Sequence, residues 1–372
     1  MKKCACNNLM INANNLNLVD IDTNSLDVSS EDSSEEERLN GDPHTLPEFA
    51  VKRLINAQYG IVGNHSAVQI CPWTFKSLRN KGECYKYIFY GIETHSCAQM
   101  SPAVLWCSLN CSHCWRPMEF MKRIDIDENR VDAPEFIIQE TVKQRKRLLS
   151  GTPSDKSTNM EKFKYAFKRF PSHWAISLSG EPTLYPKLPE LIKLLKSNPE
   201  VKTVFLVSNG VETDMFLKLK EKNALPTQLY ISMITPNKEL FIKYAKPVYR
   251  DGWERYLKTL LLLPELGCRK VIRLTIMKGI NDDLNSLKGF SELIELAKPD
   301  FVEVKSYMYI GMSRNRLKFE NMAKHEEIVD ISNKLLEYLP NYVFRNQSKV
   351  SRIVLLKRKD SKYNDRIKSV NG

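Results

Sequence analysis

The chain has 372 residues, 42% of them hydrophobic, enough apolar content for one large core or two modest ones. Its leucine-rich segment over 257–263 ends at Pro264 and is too short to cross a bilayer. No basic segment followed by an apolar core opens the chain, so membrane and secreted classes are set aside and a cytoplasmic monomer is expected. Net charge is +12, but residues 1–48 hold three basic side chains against ten acidic ones, leaving +19 on the rest; that excess suits a polyanion such as nucleic acid, with a lysine-rich composition as the competing explanation.

Residues 1–45 are dominated by Asn, Ser, Asp and Glu and are expected to form a disordered acidic tail; Cys4 and Cys6 within it are assigned no role. Residues 46–70 read as a helix, with Pro47 in the first turn and Phe49, Leu54 and Ile55 on one face. Cys71, Cys84 and Cys97 then follow with twelve residues between neighbours, a spacing that neither helix nor strand periodicity explains. They are either core cysteines or the three ligands of a cluster, and residues 46–100 are taken as a cluster-binding extension. Lys86 stands among Tyr85, Tyr87, Phe89 and Tyr90; an apolar wall lowers an amine's pKa and frees it to condense with a carbonyl, although most lysines are simply solvated.

Residues 101–106 read as a strand that delivers Cys107-Ser-Leu-Asn-Cys111-Ser-His-Cys114-Trp115-Arg116. Three thiolates hold three irons of a four-iron cubane and leave the fourth open to chelate a small molecule, and S-adenosylmethionine goes with this spacing. A zinc site with His113 as fourth ligand competes, against the closeness of His113 to the cysteines. Helices are expected over 134–149, 187–196, 252–263, 283–297 and 324–339, around a polar insert at 150–159. Strands are expected over 174–179, 201–207, 229–233, 271–277 and 301–309. The alternation implies an α/β fold, a partial (β/α)6 barrel over residues 101–340, followed by a C-terminal strand and basic tail over 341–372. Function belongs at the strands' carboxyl ends. Ser179, Gly180 and Glu181 end one strand, Ser208 and Asn209 the next, and Ser232 the one after; these are the candidate S-adenosylmethionine contacts, with residues 274–279 along the adenine.

These motifs resemble the radical S-adenosylmethionine enzymes, and more narrowly the tRNA 4-demethylwyosine synthase family. The likeness is carried by Phe89-Tyr-Gly-Ile-Glu-Thr-His-Ser-Cys97, Trp106-Cys107 through Cys114-Trp-Arg-Pro117, Leu178-Ser-Gly-Glu-Pro-Thr-Leu-Tyr-Pro186, Arg273-Leu-Thr275 and Glu303-Val-Lys305. The resemblance implies two [4Fe-4S] clusters, one on Cys107, Cys111 and Cys114 that binds S-adenosyl-L-methionine, the other on Cys71, Cys84 and Cys97. It implies a tRNA-Phe substrate bearing N1-methylguanosine 3′ of the anticodon, pyruvate as second substrate held as a Schiff base on Lys86, and a carbon–carbon lyase reaction. Eukaryotic members usually carry a flavodoxin-like domain, so a separate flavodoxin- or ferredoxin-like electron donor is expected here. Ile231-Ser-Met-Ile-Thr-Pro236 lacks the family's aspartate. Basic runs at 143–147, 168–169 and 357–359, with Trp115 and Tyr307 as stacking groups, are the candidates for gripping RNA. A radical enzyme acting on another RNA or a peptide, and a cluster-bearing tRNA-binding protein without turnover, are the alternatives.

Overall fold

In the computed structural model, residues 44–116 and 124–370 are described. The expected acidic tail, apart from its last two residues, lies outside them, as do Cys4, Cys6 and Pro117.

Chain entry is through α1 (Glu48–Asn56) and a hairpin of β1 (Tyr59–Val62) and β2 (Ser66–Gln69), where one helix over 46–70 was expected. The helix stops because Gln58 turns left-handed and Gly63 and Asn64 close a turn between two short runs rich in β-formers. Two short helices follow, α2 (Pro72–Leu78) and α3 (Tyr85–Tyr90), before β3 (Cys97–Ser101). The strand expected at 101–106 thus begins and ends earlier, and residues 102–106 form a buried turn instead.

From β3 the chain alternates: α4 (Pro134–Leu149), α5 (Met160–Lys168), β4 (His173–Ile176), α6 (Leu188–Ser197), β5 (Thr203–Ser208), α7 (Thr213–Glu221), β6 (Gln228–Met233), α8 (Lys238–Leu240), α9 (Gly252–Leu262), β7 (Arg269–Ile276), α10 (Leu284–Ala297), β8 (Phe301–Ser306) and α11 (His325–Glu337). Strands β3 to β8 are parallel neighbours in sequence order, the six units expected. β9 (Tyr342–Ser348) and β10 (Ile353–Arg358) form a second hairpin, two strands where one was expected, and β10 extends the sheet antiparallel to β8. Strand β9 is hard to see in the sequence because an exposed edge strand buries few of its side chains and carries no clean alternation. The ten strands run in one open order, β1-β2-β3-β4-β5-β6-β7-β8-β10-β9, which is a partial barrel flanked by two hairpins.

Alternation along the strands sorts the two faces. Leu206, Ile231, Leu274 and Val304 are fully buried beneath the outer helices, and each contributes about 1.5–3 kcal/mol by leaving water. On the opposite face Val207, Ser232, Arg273, Thr275 and Lys305 keep partial exposure while flanked by buried neighbours. Together they line a chamber along the barrel axis. Beneath it, residues after β10 cross the strands' amino ends. Arg269 holds the carbonyls of Asn364 and Asp365, Ile367 N donates to Tyr90 O (3.0 Å), and Thr227 Oγ1 donates to Val370 O (2.6 Å).

Candidate active site

Cys107, Cys111 and Cys114 sit on a loop at the carboxyl end of the barrel. The loop is seated from one side by the segment after β6: Asn110 N donates to Ala245 O (3.0 Å), Ser112 N to Tyr244 O (2.8 Å) and Val248 N to Ser108 O (2.9 Å). From the other side Arg316 donates to Ser112 O (3.2 Å) and to the carbonyl of Cys114. Arg116 is buried, donates to Leu178 O (2.9 Å) and lies 3.2 Å from the centre of the Trp115 ring. Nothing in the spacing or periodicity of the sequence marked Arg316, which is supplied from two hundred residues downstream.

The strand-end residues close around this loop. Gly180 has φ +68°, and a Cβ there would overlap the Ala103 carbonyl oxygen and lie 2.6 Å from that of Trp106. Only glycine permits that approach. Ser179 Oγ donates to Val104 O (2.8 Å) and Glu181 N to Trp106 O (2.6 Å). The Glu181 carboxylate accepts from Thr183 N (3.1 Å), Thr183 Oγ1 (2.5 Å) and Asn209 N (2.7 Å), tying two strand ends together. Burial still pushes its pKa up to about 7 against these bonds. Asn209 Nδ2 donates to Ser108 Oγ (3.1 Å) and points at Cys107 Sγ (3.8 Å), while Ser208 Oγ accepts from Gly210 N (3.0 Å). The side chains of Ser179, Glu181 and Ser208 thus each make hydrogen bonds within the protein. Ser232 differs, lying partly exposed in the chamber.

At the opposite end, Cys71 precedes α2, Cys84 precedes α3 and Cys97 opens β3. The fold brings the three together: burial first, then Cys97, raises the Cys71 pKa to about 11, and burial with Cys71 raises Cys84 to about 12. In the other set, burial, then Cys107 and Cys114, holds Cys111 far above the ordinary thiol range. None of the seven described cysteines is in a disulfide. Within each set the thiols oppose one another's ionisation, so a positively charged group between them is what would favour three thiolates; iron of a cluster fits that donor chemistry. Among the described residues no three His, Cys, Asp or Glu side chains converge as a single-ion site. His113, the fourth ligand in the zinc reading, is driven down to about 4 by burial and by Arg316.

Lys86 reaches from α3 over β5 and β6, its Nζ 4.9 Å from the centre of the Phe205 ring and 5.1 Å from that of Tyr230. Burial, then the Arg273 charge, lowers its pKa. Around it stands a network of residues to which the sequence motifs alone gave no role. Glu303 is fully buried and accepts from Tyr90 OH (2.7 Å), Arg273 Nε (3.0 Å) and Tyr85 OH (3.3 Å). Arg273 Nη2 in turn donates to Tyr85 OH (2.7 Å). The signal was present: an arginine amid the apolar run of β7 and a glutamate directly opposite it on β8.

Among the expected RNA-gripping groups, Arg145, Lys357 and Tyr307 are corrected. Arg145 is buried, donating to Cys97 O, His95 O and Ala166 O, and Lys357 pairs with Asp365. Residues 168–169 lie just before β4 and residue 357 faces the first residue of β8, so these runs sit at the end of the barrel away from the Cys107 loop. Tyr307 is only 2% exposed with its hydroxyl on Ser313 Oγ (2.9 Å), which removes it as a stacking platform. The rim of the other end carries exposed Lys243, Lys246, Arg250, Arg314 and Lys318, with no ion pair to them among the described residues.

Residues 102–288 match the family model described as the radical SAM superfamily, and residues 296–358 match one described as wyosine base formation. A tRNA 4-demethylwyosine synthase of Pyrococcus abyssi is 40% identical over 85% of this chain and 90% of its own length. That of Methanocaldococcus jannaschii is 40% identical over 87% of this chain and its full length. A solved structure described as TYW1 with a lysine-pyruvate adduct bound superposes with a TM-score of 0.76 at 38% identity, covering 87% of this chain and 100% of the other.

Proposed function

The chain belongs to the tRNA 4-demethylwyosine synthase family of radical S-adenosylmethionine proteins, and from that premise we propose that it builds the third ring of the wyosine base on tRNA-Phe. It would condense N1-methylguanosine 3′ of the anticodon with two carbons of pyruvate, as a carbon–carbon lyase of the cytoplasm drawing electrons from a separate flavodoxin- or ferredoxin-like donor. What supports the reading is a three-cysteine set at each end of the barrel, with the Lys86 amine over the Phe205 and Tyr230 rings beside Cys84 and Cys97.

Cys107, Cys111 and Cys114 would hold the cluster that binds S-adenosylmethionine, and Cys71, Cys84 and Cys97 the second. When bound, the first supplies the one-electron cleavage that yields a hydrogen-abstracting radical, the chemistry an inert N-methyl group requires. The chain's own part is placement. The carbonyls of Ser179 and Gly180, which accept no hydrogen bond from the described residues, would take the ligand's ammonium. Asn209 and Ser232 would face its ribose or carboxylate. Lys86, kept neutral more readily by burial, would fix pyruvate as an imine in the path of the methyl carbon. The RNA base would enter from the rim, where Lys243, Lys246, Arg250, Arg314 and Lys318 can meet phosphates.

The deciding experiment is anaerobic incubation with dithionite, S-adenosylmethionine, pyruvate and methylated tRNA-Phe, read by nucleoside mass spectrometry. The expected product is 4-demethylwyosine; unaltered N1-methylguanosine alongside deoxyadenosine release would point to another substrate. Cys111→Ala should abolish deoxyadenosine release, whereas Lys86→Ala should keep its uncoupled formation and lose only the base product. Loss of both in a fully clustered Lys86 variant would sink that division of labour.

A further inference from the structure

Building on the keto-acid reading above, we propose that Arg273 is the carboxylate clamp for the keto acid held at Lys86, with Glu303, Tyr85 and Tyr90 aiming its guanidinium. A 2-keto acid carries its carboxylate one bond from the ketone. A cation beside the attacking amine would pair with that anion and orient the ketone. Arg273 and Lys86 share one wall: the Arg273 Cζ lies 4.6 Å and the Lys86 Nζ 5.1 Å from the centre of the Tyr230 ring.

The guanidinium is oriented rather than spent. Its Nε is fixed on Glu303 and its Nη2 on Tyr85, while Nη1 has no partner among the described residues, and the side chain keeps 20% exposure. An Nη1–Nη2 edge is the fork that planar carboxylates accept. Glu303 cannot serve as the balancing anion for the whole chamber. Its two oxygens already take Tyr90, Tyr85 and Arg273, and Lys86 and Lys305 add two more basic groups nearby. Lys305 is a weaker candidate for the clamp because its amine donates to Ser351 O (2.9 Å). With the carboxylate on Arg273, the Lys86 amine adds to the ketone carbon, the oxygen leaves as one water, and the imine forms with no oxidant or reductant required.

The test traps that imine. Full-length, cluster-reconstituted protein is incubated anaerobically with labelled pyruvate or with hydroxyacetone, an uncharged three-carbon ketone, and reduced with borohydride; adduct on Lys86 is quantified against ketone concentration. Arg273→Gln should raise the pyruvate concentration for half-maximal trapping by about tenfold or more and leave hydroxyacetone unchanged, since it removes one charge-assisted fork. Arg273→Lys, which keeps charge and loses the fork, should fall between them and carries the comparison if the glutamine variant does not fold. Pyruvate trapping at the wild-type concentration in either variant overturns the clamp, and so does an equal loss of both ketones at unchanged iron content, which would mark a structural role. Absence of any Lys86 adduct in the wild-type protein would instead overturn the keto-acid reading beneath it.

Discussion

Glu181 shows how much one buried carboxyl group does within the protein. It accepts three hydrogen bonds beneath the Cys107 loop, one of which, from Asn209 N, joins the ends of β4 and β5, in a site dry enough to lift its pKa from 4.5 to about 7. The folded state therefore binds this proton more tightly than the unfolded chain does. Its stabilising contribution is complete below pH 4.5 and is lost as pH rises through about 7, on the order of 3 kcal/mol in all. Glu181→Gln does not titrate, so the stability gap between wild type and variant should narrow from about pH 5 to about pH 7.5. Urea unfolding across that range measures it, and a gap that widens with pH would mean the carboxylate form is the one the fold prefers.

At the scale of elements, the barrel's repeating units were legible because period and punctuation agree there. The five helices expected in the barrel begin and end within two residues of the observed ones, and the three-cysteine loop falls at a strand's carboxyl end as six alternating units require. What was not legible depends on partners far away in sequence. The hairpin of β1 and β2 looks helical until Gly63 turns it, and Arg316 gains meaning only when the loop after β8 folds back over the cysteines. Arg145 is the sharpest case: within a basic run that suggests RNA, it is the strut between α4 and the start of β3, donating to Cys97 O (3.1 Å), His95 O (2.9 Å) and Ala166 O (2.6 Å). Arg145→Met keeps the apolar stem and strands three carbonyls, a cost of about 3 kcal/mol or more. Because two of those carbonyls belong to Cys97 and to His95 two residues before it, the same variant should also lose the cluster proposed on the Cys71 set, with iron per chain falling by about half relative to wild type reconstituted alongside. Denaturant unfolding and iron analysis read the two effects separately.

For the whole molecule, the distribution of charge matters more than its sum. The two ends of the barrel are both basic, but only one opens on the chamber. Charge reversal at Lys243, Lys246 and Arg250 should weaken binding of tRNA and flatten its salt dependence, the slope changing by about 0.7–0.9 for each phosphate no longer neutralised. Reversal at Lys168 and Arg169 should leave both unchanged. Filter binding across a salt series tests the contrast, and equal effects at the two ends would place the RNA elsewhere.

The segment over residues 363–370 lies against α3, the helix that begins after Cys84 and carries Lys86. It leaves the ribosome long after Cys71, Cys84 and Cys97 have emerged. Packing of α3 is thus completed only by residues far downstream, so the wall that carries Lys86 is assembled last, after every strand of the sheet has been made.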